Sequence, residues 1–160
     1  MKDLKINISG IEITLGITGY KKAQNKSDEF NNWCKCDLMV RSHNNGEYWI
    51  NYRILNKEIL LSCEVDSLIK TFTKLLDGED LEHEFVSLIE PDIQFELSPR
   101  REIKISSGIK ILEPSMDFII NFWDNGVLTG NYLSVSFNKD EILELLNYLK
   151  RVKIEAKADK

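Results

Sequence analysis

Between Phe85 and Leu97 the chain reads FVSLIEPDIQFEL, two short β-prone runs broken by Glu90-Pro91-Asp92. Proline fixes its own φ and has no N–H to donate, so it suits a turn and not a central strand. In the second run Ile93, Phe95 and Leu97 fall on one side and Gln94 and Glu96 on the other. That period of two is the mark of a strand with one buried face. It recurs along the chain, and it restricts the fold to one rich in antiparallel sheet.

Leu4, Ile6 and Ile8 alternate with polar residues, as do Ile11, Ile13, Leu15 and Ile17, and Ser9-Gly10 between them predicts a tight hairpin. Tyr20 to Asn32 is polar and reads as a loop. From Trp33 to Arg41, Cys34, Cys36, Leu38 and Val40 share a face; Asn44-Asn45-Gly46 turns the chain into Tyr48, Ile50, Tyr52 and Ile54. Ile103 and Ile105 begin a further strand, and Ile109 to Leu112 continue its pairing. Met116 to Trp123 is apolar on both faces, which predicts a central or doubly covered strand. After the turn Asp124-Asn125-Gly126, Leu133, Val135 and Phe137 alternate once more.

Two segments have the helical period instead. Val65, Leu68, Ile69, Phe72, Leu75 and Leu76 form one stripe, with Ser62 as the expected cap, Glu64 set against the helix dipole, and Gly78 as the stop. Burying those six side chains contributes about 10–18 kcal/mol gross, before the entropy of ordering them. Ile142, Leu145, Leu146, Leu149 and Val152 form the second stripe, with Asn138 as cap and Glu141 as its capping-box partner. The expected fold is therefore α+β: a largely antiparallel sheet of meanders and hairpins, with two amphipathic helices packed on it. Residues 1–154 are expected to form a single α+β domain, and residues 155–160 a charged C-terminal tail.

A chain of 160 residues buries roughly 70% of its unfolded surface, enough for a core without disulfides or metal. Its net charge of −5 argues against nucleic acid as the main partner, because phosphate binding calls for a basic stripe. The same acidity suits a basic protein partner. The N-terminus lacks a signal-peptide apolar core, and no apolar run approaches the ~20 residues of a membrane helix. A cytoplasmic protein is expected, and three cysteines fit reduced thiols there.

Catalytic signals are sparse. Cys34-x-Cys36 on a strand offers half a zinc site, but Cys63 stands alone and His43 and His83 lack ligand spacing, so small core side chains are expected and no metal or cofactor is. Glu82-His83-Glu84 contains an imidazole between carboxylates, yet alternation turns both carboxylates away from it. Pro99-Arg100-Arg101 could grip a phosphate or carboxylate, though a charged hairpin turn explains it equally well. No phosphate-binding loop, paired-glycine dinucleotide turn or nucleophile elbow occurs. Asp77, Glu79, Asp80 and Glu82 make an acidic loop that could dock basic residues of a partner; a solvated loop is the plain alternative. Trp33, Trp49 and Trp123 are possible interface anchors, with core placement expected; Trp49, opposite the Tyr48 face, either packs beneath another layer or stays exposed.

The order of these elements resembles the WapI-type immunity protein family. The likeness rests on Asn32-Trp33 opening a strand, the helix from Glu64 to Leu76 with its Asp77-Gly78 stop, the run Leu88-Ile89-Glu90-Pro91 followed by Ile93-x-Phe95-Glu96, and Leu133 to Phe137 leading into the leucine-rich helix from Lys139. It covers roughly Trp33 to Val152, and the first thirty residues match it weakly. The resemblance implies a non-enzymatic protein that binds and neutralises a cognate bacterial toxin inside the producing cell. It supplies no catalytic residues. The other reading is a cytoplasmic α+β ligand-binding or enzymatic domain with a pocket that no motif reveals.

Overall fold

The computed structural model describes residues 2–22, 28, 30–44, 47–78 and 84–158, and these described residues form ten strands and two helices. It divides into two compact units, residues 1–67 with 147–160, and residues 68–146. Every strand pairing among the described residues is antiparallel, and the α+β expectation holds. The strands do not form one sheet, however. They fall into two four-stranded sheets and a separate two-stranded one.

The first unit contains a meander of β1 (Leu4–Ile8), β2 (Ile11–Thr18), β3 (Trp33–Asn44) and β4 (Glu47–Leu61), in that order. The β1–β2 turn is two residues long, with Ser9 at φ 52° and Gly10 at φ 82°. Positive φ at both positions is the hairpin geometry whose twist matches the strands. Register then lines up the apolar positions: Leu4 opposite Leu15, Leu15 opposite Leu38, Leu38 opposite Ile54. All four are buried, as are Ile13, Ile17, Cys36 and Val40. A register shift in β4 puts Asn56 at φ 51°, and its N–H donates to Asp37 Oδ1 at 2.6 Å. The extra residue bends the strand there.

Two helical segments complete this unit. The second helix, α2 (Lys139–Ala158), extends through most of the segment expected to be a charged tail. Its Tyr148 is fully buried, and the Tyr148 hydroxyl accepts the Ile17 N–H at 2.7 Å. Leu4 is the last β1 residue to pair with β2, so β1 stops short of Ile17. The helix thus supplies the acceptor that the neighbouring strand does not reach. The opening turns of α1 (Ser62–Asp77) also belong here, with Val65 buried.

The second unit is built on β5 (Glu84–Ser87), β6 (Ile93–Ser98), β9 (Ser115–Asp124) and β10 (Val127–Phe137), in the spatial order β10-β9-β6-β5. Met116–Trp123 therefore lies in a central strand, as expected. Register stacks Val135, Phe118, Phe95 and Val86 across the sheet. Phe95 stacks on Phe118 at 5.3 Å, Phe137 tilts against Phe118 at 5.5 Å, and Phe72 of α1 meets Phe95 edge-on at 5.2 Å. These are the offset and edge geometries that aromatic quadrupoles favour. The Glu90-Pro91-Asp92 turn is held from β9: Asn121 donates its backbone N–H to the Asp92 carbonyl at 2.9 Å and its side-chain amide to the Pro91 carbonyl.

The start of α2 bears out its capping box. Asn138 Oδ1 accepts the Asp140 N–H, and Glu141 Oε2 accepts the Asn138 N–H, both at 2.8 Å. Ile142, Leu145 and Leu146 are buried. Among the described residues the remaining strands, β7 (Arg101–Ile105) and β8 (Gly108–Leu112), pair only with each other, and both are exposed throughout.

Candidate functional site

The polar chemistry of the first unit gathers around Asp66. The Tyr20 hydroxyl, just past β2, donates to its carboxylate at 3.0 and 3.1 Å, and Lys153 Nζ of α2 lies 2.6 Å from Oδ1. One helical turn earlier, Ser62 Oγ accepts the Lys21 N–H at 3.0 Å and lies 3.5 Å from Cys34 Sγ. Ser62 N–H donates to the Asn32 carbonyl at 2.9 Å. Ser62 is therefore not the helix cap expected from its position. The end of the helix is closed by Glu64, whose Oε2 accepts the Leu61 N–H at 2.8 Å, leaving the Ser62 hydroxyl to hold the incoming chain at Lys21.

This cluster does not present an activated nucleophile. Burial first, then the neighbouring Asp66 charge, pushes the Tyr20 hydroxyl well above the ordinary tyrosine value of 10.0, so it remains a hydrogen-bond donor. Burial also pushes up the Cys34 thiol. A buried, protonated thiol is inert, because the thiolate is the reactive form. What the arrangement does is fasten the chain after β2, the start of β3, the first turns of α1 and the last turns of α2 around one ion pair.

Cys34 and Cys36 are both fully buried beside Leu38 and Val40, as their shared face predicts. Among the described residues no group of three or more His, Cys, Asp or Glu side chains could hold a metal ion. Of the acidic partner-binding candidates, Asp77 is exposed on the last turn of α1, and Gly78 follows at φ 72° as the stop. Glu79, Asp80 and Glu82 lie outside the described residues, as does His83. The tryptophans depart from their expected core placement. Trp33 and Trp123 are half-buried, and Trp49 is 63% exposed on β4.

The expected pairing of Ile109–Leu112 with the Ile103–Ile105 strand is present as the β7–β8 hairpin, but its full exposure was not legible in the sequence. Pro99 and Pro114 at its base are buried, and every residue from 100 to 113 between them is exposed. Arg100 and Arg101 are thus the foot of a projecting arm and not part of a closed anion site. It shows in the register. A two-residue Ser106-Ser107 turn pairs Ile103 with Lys110 and Lys104 with Ile109, so the isoleucines of the two strands fall on opposite faces.

No helix among the described residues is long and apolar enough to cross a membrane. No curated protein matches the chain, and no solved structure does. A protein-family model does match: that of the immunity protein WapI-like family, over residues 4–153. The match begins at residue 4 and so takes in most of the N-terminal thirty residues, which the resemblance in sequence covered only weakly.

Proposed function

The chain belongs to the immunity protein WapI-like family, and on that premise we propose that it neutralises a cognate bacterial toxin by binding it and covering a functional surface. The family match along residues 4–153 carries the reading. The protein acts stoichiometrically in the cytoplasm of the producing cell and catalyses nothing. Inhibition by coverage requires complementary shape and a few desolvated anchors, not a reacting constellation. The inert chemistry around Asp66 supports this, because its groups are neutralised or protonated within the fold.

The net charge of −5 favours a basic toxin, such as a nuclease whose surface is built to hold phosphates. The acidic residues Asp77, Glu79, Asp80 and Glu82 then serve as rim contacts that steer approach. Such steering is screened over about 8–10 Å at physiological ionic strength, so association slows as salt rises. Charge reversal at Glu79 and Asp80 slows association more than it speeds dissociation.

The test is co-expression with the toxin encoded by the adjacent gene. Cells are expected to survive, and the two proteins to elute together on size exclusion. Cell death despite excess soluble immunity protein, with no complex formed, would falsify the reading.

A further inference from the structure

The β7–β8 arm has a composition that a solvated hairpin does not need. Ile103, Ile105 and Leu112 lie on one face, and Ile109 and Ile111 on the other. All five are exposed, Ile109 at 63%. An isolated two-stranded hairpin is at best marginally stable in water and normally rests an apolar face on something. Here each face is apolar in part and neither is covered. A hairpin lying on a flat surface would need only one such face, whereas one entering a cleft needs both.

Charge adds a second constraint. Arg100, Arg101, Lys104 and Lys110 against Glu102 and Glu113 leave this segment at +2, within a chain of net charge −5. The rest of the chain is therefore more acidic than the whole. Two such arms, each at +2, repel one another as wholes, which weighs against their pairing. A second copy of this chain is thus disfavoured at the arm. The buried prolines at its two ends fix φ where it leaves the sheet, and five residues per strand give a reach of about 17 Å.

We propose that the β7–β8 hairpin is the inhibitory arm of this protein: it inserts into an apolar-walled, carboxylate-lined cleft of the toxin, isoleucines against both walls and cations toward the carboxylates. This rests on the immunity reading above and names the surface through which it works. Mg²⁺ in phosphate-processing sites is held through carboxylates, so a carboxylate-lined cleft is one form of a metal-dependent hydrolytic site, and arm insertion there would cover catalytic groups directly. The cleft is a local feature and coexists with a basic surface around it. The acidic rim contacts and the basic arm then address different parts of one partner.

The experiment compares the unaltered protein with two double variants, Ile109→Thr with Ile111→Thr, and Lys104→Glu with Lys110→Glu. Threonine keeps strand propensity, and all four positions are exposed, so both variants should keep the wild-type circular dichroism spectrum. The probe is the purified, catalytically inactivated toxin of the adjacent gene. Each variant is expected to bind more than about tenfold more weakly. In the unmodified pair, amide exchange across residues 100–113 is expected to slow on binding. Wild-type binding with both variants within threefold of it, or unchanged exchange in that segment, overturns the arm and leaves the immunity reading standing. Failure of the wild type itself to bind removes the immunity reading, and the arm with it. A free-protein dimer that the isoleucine variant dissolves, with toxin binding intact, makes a second copy the occupant and also overturns the proposal.

Discussion

Replacing Tyr148 with phenylalanine removes one oxygen from a fully buried ring. The ring volume stays, so no cavity term arises. What is lost is the acceptor for the Ile17 N–H, 2.7 Å away. A neutral hydrogen bond contributes about 0.5–1.5 kcal/mol net, and a buried donor left unpaired costs about 1–3 kcal/mol. These describe one loss from two sides, so the expected destabilisation is about 2 kcal/mol. Ile17 is itself fully buried, and the β1–β2 pairing ends at Leu15, so among the described residues β1 does not reach its N–H. With a urea slope of about 2 kcal/mol/M, the midpoint should fall by about 1 M while the slope stays constant. Urea unfolding followed by circular dichroism gives both quantities. Native-state exchange of the Ile17 amide should quicken in the same variant. A midpoint within 0.2 M of wild type, with Ile17 still protected, would refute the argument that α2 completes the hydrogen bonding of β2.

The hydroxyls of Tyr20 and Tyr148 are both pushed above the ordinary value of 10.0, and the Cys34 thiol above 9.0, in each case first by burial. The folded state therefore keeps protons that the unfolded chain loses. Stability is fully present below about pH 9 and declines as pH rises past 9–10; the Tyr20→Phe variant should show a shallower decline, and an identical pH profile would contradict the assignment. Thiol titration should modify part-exposed Cys63 first and reach Cys34 and Cys36 only in denaturant; fast labelling of all three in the native state would contradict their burial. Because the boundary between the two compact units falls inside both helices, we expect residues 1–154 to unfold in one transition, coincident by fluorescence and circular dichroism; two resolved transitions would refute this.

Much of the secondary structure was legible because alternation and helical stripes report directly which side of an element is buried. Ile93, Phe95 and Leu97 are buried as their period requires, and the Asn138–Glu141 box closes α2 as written in the sequence. Partnering was less legible. Alternation states a strand's face but not its neighbour, so nothing local revealed that β6 pairs with β9 and leaves β7 and β8 outside both larger sheets. Ser62 misled for a similar reason. Its position favours a cap, but the hydroxyl is taken by Lys21, forty-one residues earlier in the chain. Ile103 and Ile105 read as a strand by their alternation, and only the hairpin register places them opposite Lys110 and Gly108 on an uncovered arm. Asp77 could be placed at the end of α1, while the rest of the acidic candidate loop lies outside the described residues.

Inhibition by occupation demands a fixed ratio of inhibitor to toxin, which a titration measures. The purified protein is added in steps to a fixed amount of its cognate toxin, and residual toxin activity is measured. Occupation predicts a linear fall that reaches zero at a fixed stoichiometric ratio, with full activity recovered when the complex is separated in denaturant and the toxin refolded. Activity abolished by a small fraction of an equivalent, or toxin left covalently altered after separation, would show turnover and contradict the account.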